Sequence, residues 1–266
     1  MLGPRLASAA VGLPILFLAV WFGGLGFTFL VALAAAVATW ELLRLVAPAL
    51  NGWRLALALI GAVALTVSPH LPGEPAWAYL AVIAAWAGAI LLGRGPGQVS
   101  STFTTRVNTL GAIFFIGVLL SLYLALRWGP QGSAWTFLAL GATFANDTAA
   151  YLVGRLMGRH RLAPAISPHK TIEGALGGLA AGVLACWGLA YTQDLPLGAG
   201  WSLFLGAGIA AVGQGGDLLE SYLKRRAGAK DASGLIPGHG GLLDRLDSLL
   251  LVAPLVYWAA RLAGGA

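Results

Sequence analysis

The chain has 266 residues, 58% of them hydrophobic and only 10% charged, and a mean hydropathy of +0.81. A soluble domain carries about 25% charged residues, so this chain cannot cover a water-facing surface of its size, and the same apolar excess excludes disorder. What remains is an all-α polytopic membrane protein, a single transmembrane domain over residues 1–266. The net charge of +6 points to the anionic leaflet of a bilayer rather than to nucleic acid. One cysteine, Cys186, excludes an internal disulfide and reads as a small apolar residue among Ala, Leu and Trp.

In chain order, uninterrupted apolar stretches predict nine spans: 6–22, 25–43, 55–69, 76–92, 107–126, 134–154, 174–192, 200–222 and 246–262. The first has one basic residue, Arg5, and no small-residue cleavage site, so it reads as a retained span. With nine spans, 14 of the 16 Lys and Arg residues fall on one side, leaving only Arg127 and Arg261 on the other. The positive-inside rule then predicts a cytoplasmic N-terminus and a C-terminus on the opposite face. Most of the ten Trp residues lie near predicted span ends, as interfacial anchors do.

Of ten carboxylates, the first half of the chain holds only Glu41 and Glu74. Glu41 reads as an ion-pair partner of Arg44 or Arg106. GRGPGQ at 93–98 lacks the strand–helix setting of a dinucleotide site and reads as a loop, and no P-loop motif occurs. Chemistry therefore belongs to about residues 140–250.

The first polar cluster is 146–174. Asn146 and Asp147 interrupt an apolar helix, where a polar side chain either pairs between helices or serves a site. Arg159, His160 and Arg161 read as topology determinants in a short basic loop. Ser167, Thr171 and Glu173 suit either helix capping or binding, and His169 and Lys170 either a solvated loop or a ligand contact.

The second cluster is 215–248. Asp217, Glu220 or Ser221, and Lys224 share one helix face, and a glycine-rich segment, 226–241, breaks the helix. A new helix then begins with Asp244 and Asp247 three residues apart. Glycines let backbone approach a ligand, and a helix start offers N–H groups to an anion. Carboxylates on two helices, with Lys224, Arg225, Arg226, Lys230 and Arg245 close by in the sequence, describe a site for a polyphosphate with a hard divalent ion such as Mg²⁺. Zinc is disfavoured, because the four histidines are scattered and the cysteine lies elsewhere.

The segment SYLKRRAGAKDASGLIPGHGGLLDRLD, residues 221–247, resembles the signature of the phosphatidate cytidylyltransferases, the CDP-diacylglycerol synthases. That signature is S-x-x-K-R, then K-D, then H-G-G-x-x-D-R-x-D, and every fixed position is present: Ser221, Lys224, Arg225, Lys230, Asp231, His239, Gly240, Gly241, Asp244, Arg245 and Asp247. The upstream N-D-T-x-A-Y-x-x-G and S-P-x-K-T-x-E-G segments resemble the family too, with His169 and Ile172 departing from the usual Lys and aromatic residue. The resemblance covers residues 146–248. It implies an integral enzyme of the cell membrane with its active site on the cytoplasmic side, a homodimer that joins CTP to phosphatidic acid using Mg²⁺ and leaves open a second cation. Asp217 and Asp244 are expected as metal ligands, with Asp247 and Asp147 as supporting carboxylates. Lys224, Arg225, Lys230 and Arg245 are expected to neutralise phosphates, and His239, Gly240 and Gly241 to form a backbone anion cradle. Asn146, Ser167, Lys170, Thr171, Ser221 and Asp231 are expected to contact substrate. A CTP-dependent lipid-alcohol kinase and a transporter are the competing readings; the kinase would match the long signature less well, and the transporter would not need the lysine-rich glycine loop.

Overall fold

The computed structural model describes residues 2–70, 99–236, 238 and 240–264. Eight α-helices occur among them: α1 (Leu2–Phe22), α2 (Gly24–Val46), α3 (Gly52–Val67), α4 (Val99–Trp128), α5 (Gly132–Met157), α6 (Ile172–Thr192), α7 (Ala199–Arg226) and α8 (Leu243–Ala263). The span expected at 76–92 lies outside the described residues. A 3-10 turn, Ser68–His70, extends α3. Among the described residues, five helical segments are long and apolar enough to cross a bilayer: α2, the Thr105–Trp128 part of α4, α6, α7 and α8. The protein is an all-α integral membrane protein, as its composition requires, because only helices satisfy every backbone group within a single span.

The chain divides into two compact units: Met1–Leu124 with Asp231–Leu243, and Ala125–Lys230 with Asp244–Ala266. In the first, α2 packs on α3. The hydroxyl of Thr66 donates to the Gly117 carbonyl of α4 at 3.3 Å, and the Asn108 amide donates to the Val46 carbonyl at 2.6 Å. The returning segment 231–243 is held by Glu41 of α2, which is fully buried. Its Oε1 accepts from the Ser233 hydroxyl at 2.5 Å and from Leu242 N–H at 3.0 Å, and its Oε2 accepts from Leu243 N–H at 2.6 Å. Arg44, one of the two basic partners expected for Glu41, lies over the ring of Trp40, 5.2 Å from its centroid.

In the second unit, α5 packs along α6 and α6 along α7. The α5–α6 seam is made by glycine: a Cβ at Gly178 would come within 2.8 Å of the Asn146 backbone and side-chain oxygens and 2.9 Å of Ala150 Cβ. Small residues on one face let two helical backbones approach in this way, where lipid provides no hydrophobic drive to associate. Between α5 and α6 the expected basic loop is an antiparallel hairpin, β1 (Arg161–Ala163) and β2 (Ser167–Thr171), registered by Arg161 opposite Thr171 and Ala163 opposite Ser167. Thr171 ends the hairpin and caps α6, its Oγ1 accepting from Gly174 N–H at 3.1 Å. Glu173, in the first turn of α6, also clamps the preceding loop: its Oε2 accepts from the N–H groups of Arg159 and His160, and its Oε1 lies 2.6 Å from His160 Nδ1.

Candidate active site

Helix α7 has 28 residues, about 42 Å at 1.5 Å per residue, longer than a hydrocarbon core of roughly 30 Å. Its apolar first two-thirds suffice to cross, so Asp217 to Arg226 reach the interface. The hairpin and the start of α8 meet this same end of α7. Lys170 of β2 pairs with Asp217 at 2.7 Å, and Lys224 pairs with Glu220 at 2.7 Å and with Asp244 of α8 at 2.5 Å.

The second unit contains a cavity of about 580 Å³ here. Its walls carry Asp147 and Arg155 from α5, Arg161 and Lys170 from the hairpin, and Gln214 and Asp217 from α7, with His169 and Thr171 among the remaining lining groups. Asp147 and Asp217 repel each other across it, and Asp247 of α8 feels the charge of both. A hydrogen-bonded row aims the first of these acids. Gln214 donates to Asn146 Oδ1 at 2.9 Å and to the Ala175 carbonyl at 3.0 Å, and the Asn146 amide donates to Asp147 Oδ1 at 2.9 Å. Asn146 is fully buried, so its amide is held on both sides.

The second acidic group lies at the α7–α8 junction. Lys224, Glu220 and Asp244 are all buried, and burial of two carboxylates with a single ammonium strengthens every contact among them. Lys224, expected to neutralise phosphate, pairs here with Glu220 and Asp244. Ser221 Oγ donates to Asp217 Oδ1 at 3.4 Å. Arg225 donates from Nε to the Ile166 carbonyl at the hairpin turn and from Nη1 to the Ala229 carbonyl, so it braces the hairpin against the end of α7.

Thus Asn146, Asp147, Lys170, Thr171, Asp217 and Ser221 gather at or beside one cavity, and Ser167 begins the strand that carries Lys170 there. Lys230 and Arg245 are exposed. Asp231, Gly240 and Gly241 fall in the other unit, where the Gly240 carbonyl accepts from Ile236 N–H at 2.8 Å. His239 lies outside the described residues. The helix-start N–H groups expected to bind an external anion have one inside the chain, since Glu41 takes those of Leu242 and Leu243.

Three contributors escape a reading of the sequence. Gln214 precedes Asp217 by three residues inside an apolar helix, a spacing that could have flagged it. Arg161 looks like a topology residue yet lines the cavity. Glu41 lies 192 residues from Ser233, a separation no local pattern bridges.

Among the described residues, no three His, Cys, Asp or Glu side chains are arranged to hold a metal ion by themselves. The donor chemistry nevertheless suits a hard cation: Asp147, Asp217 and Asp247 offer oxygen only, and Lys170 now supplies the positive charge they require.

Residues 4–263 match the cytidylyltransferase family. The chain is 35% identical to a phosphatidate cytidylyltransferase of Synechocystis, over 96% of this chain and 94% of that protein. It is 39% identical to one of Staphylococcus haemolyticus, over 58% of this chain and 59% of that protein. Against one of Bacillus subtilis the identity is 37%, over 62% of each.

Proposed function

Because the chain belongs to the cytidylyltransferase family, we propose that it joins CTP to phosphatidic acid, forming CDP-diacylglycerol and releasing pyrophosphate. A phosphate oxygen of the lipid attacks the α-phosphorus of CTP, the bond from that phosphorus to the β-phosphate oxygen breaks, and pyrophosphate leaves with the electron pair. No Ser–His pair is required, since the lipid phosphate is itself the nucleophile. Two anions must approach each other, so catalysis rests on positioning and charge neutralisation.

The observation that carries this reading is the cavity at the interface end of α7, where Arg155, Arg161 and Lys170 share walls with Asp147 and Asp217. A kinase acting on a neutral lipid alcohol would need a base at the hydroxyl and fewer cations. In the proposal Arg155, Arg161 and Lys170 meet the phosphates, joined by the exposed Lys230 and Arg245. Lys224 holds Asp244 in place. Asp217 and Asp244 would hold Mg²⁺, with Asp147 and Asp247 in support, and the bound ion would neutralise the polyphosphate and polarise its phosphoryl oxygens. Mg²⁺ commonly takes one or two carboxylates and completes its shell with water and substrate phosphate, so an all-protein cage is not needed. The 14 basic residues on one predicted side support a cytoplasmic active site. A homodimer is part of the same proposal, to be tested by crosslinking in membranes.

The decisive experiment supplies phosphatidate and CTP labelled at the α- or the γ-phosphorus. Label should enter lipid from the α position only. Entry from the γ position alone would identify a kinase, and entry from neither would leave a transporter.

A further inference from the structure

Glu41 is a fully buried carboxylate on an apolar helix, a costly placement in a membrane protein unless it is paired or serves a function. Among the described residues its partners come from the signature segment: the Ser233 hydroxyl and the N–H groups of Leu242 and Leu243. Ser233 Oγ in turn accepts from Leu235 N–H at 3.1 Å, so the carboxylate organises both ends of the segment. Leu242 and Leu243 stand at the start of α8, where N–H groups have no intrahelical acceptor and a negative charge is favoured. Space is reserved for this contact. A Cβ on Gly241 would lie 2.7 Å from Glu41 Oε1 and 2.9 Å from its Cδ and Oε2. The glycine at that signature position therefore answers to Glu41, a residue of the chain, as directly as to any ligand.

Resting on the cytidylyl-transfer reading, we propose that Glu41 is a positioning residue for that reaction. It touches no reacting atom. It fixes the 241–242 and 242–243 peptide units, one residue short of Asp244, on a segment whose glycines, Gly238 and Gly240 with φ of 77° and 80°, leave the backbone free to adopt other conformations. Loss of the carboxylate frees Ser233, Leu242 and Leu243 and shifts the start of α8. The cavity groups Arg155, Arg161 and Lys170 belong to the other unit and keep their own contacts.

The test uses the full-length protein in detergent or vesicles with phosphatidate and α-labelled CTP. Glu41→Gln and Glu41→Ala should lower kcat by about 10–100-fold while KM for CTP stays within about threefold, since misplacement near 1 Å can cost that much in rate. Hydrogen exchange at the Leu242 and Leu243 amides should accelerate in Glu41→Gln, with the α6 amides unchanged. Gly241→Ala should also lower kcat, and the double variant with Glu41→Ala should be no worse than the worse single one, because residues in contact are not additive. If Glu41→Gln does not fold, Ser233→Ala removes one of the three donors and should lower kcat with KM held. Wild-type kcat in the folded Glu41 variants, or in Ser233→Ala when it must stand in, overturns the proposal, as do additive losses at 41 and 241 or unchanged exchange at 242 and 243. If the wild-type protein itself transfers no α-label, the cytidylyl-transfer reading fails and takes the catalytic part of the proposal with it. The exchange result then still decides whether Glu41 anchors the segment.

Discussion

Asp217 and Asp244 carry different burdens, although the signature treats them alike. Asp217 faces the cavity and pairs with Lys170, whereas Asp244 is buried against Lys224. Asp217→Asn and Asp244→Asn each keep shape and remove charge. Each is expected to cut α-label transfer at least ~100-fold with the protein still inserted, in line with the several kcal/mol of charge stabilisation at such sites. Near-normal turnover would remove that residue from the metal-binding proposal. Gln214 acts one step further back, through Asn146, on the aim of Asp147. Gln214→Leu keeps the bulk and loses the donor, and activity is expected to fall about 10–100-fold, the usual effect of removing the group that orients a ligand. The matching readout is the Mg²⁺ dependence of the rate, whose midpoint should move to higher concentration in Gln214→Leu.

At the scale of elements, the α5–α6 pair shows how a polar row can be held rigid inside an apolar bundle. Gly178 lets α6 lie against Asn146 itself, so the seam that packs the helices also fixes the amide that steers Asp147. Gly178→Val is expected to destabilise the protein by about 1–3 kcal/mol through overpacking and to lower activity more than stability alone explains. Gly188, ten residues along the same helix, meets nothing within 4 Å of an added Cβ. Gly188→Ala should leave activity unchanged and raise the thermal midpoint slightly, as expected of a helical Gly→Ala change of roughly 0.5–1 kcal/mol. Equal effects of the two substitutions on melting in detergent would refute the seam. Helix positions were legible in the sequence because apolar length is dictated by the bilayer; α6, expected at 174–192, runs Ile172–Thr192. The hairpin was not. Its five-residue strand, Ser167–Thr171, holds a proline and a lysine and lacks the apolar alternation that marks a strand. Its order comes from Glu173 and Arg225, contacts that no local pattern encodes.

For the whole molecule, the basic residues predict a cytoplasmic N-terminus, nine spans and a C-terminus on the other face. Reporter fusions at residues 3 and 266 should report opposite sides. Both ends on one side would mean an even number of spans. The site was legible at this scale for a specific reason. A carboxylate entering an apolar helix is rare enough to stand out, so Asp147, Asp217 and Asp244 announce themselves. What those acids are paired with was not legible. Lys224 reads in the sequence as a phosphate ligand, and its pairing with Glu220 and Asp244 comes from the approach of α8 to α7, which no local pattern encodes.

The Glu41 contact also imposes an order on biosynthesis. Ser233 leaves the ribosome 192 residues after Glu41, a delay of about 10–40 s at 5–20 residues per second. Through that interval α2 carries an acid whose donors, Ser233, Leu242 and Leu243, do not yet exist, so the N-terminal unit cannot close until Leu243 has been made. A chain stopped at residue 230 would keep the acid and never receive those donors. Replacing Glu41 with leucine should therefore raise the steady-state level of that truncated chain in membranes, measured by immunoblot, while the same replacement lowers the level of the full-length protein. One carboxylate would then protect the finished molecule and mark the unfinished one for removal.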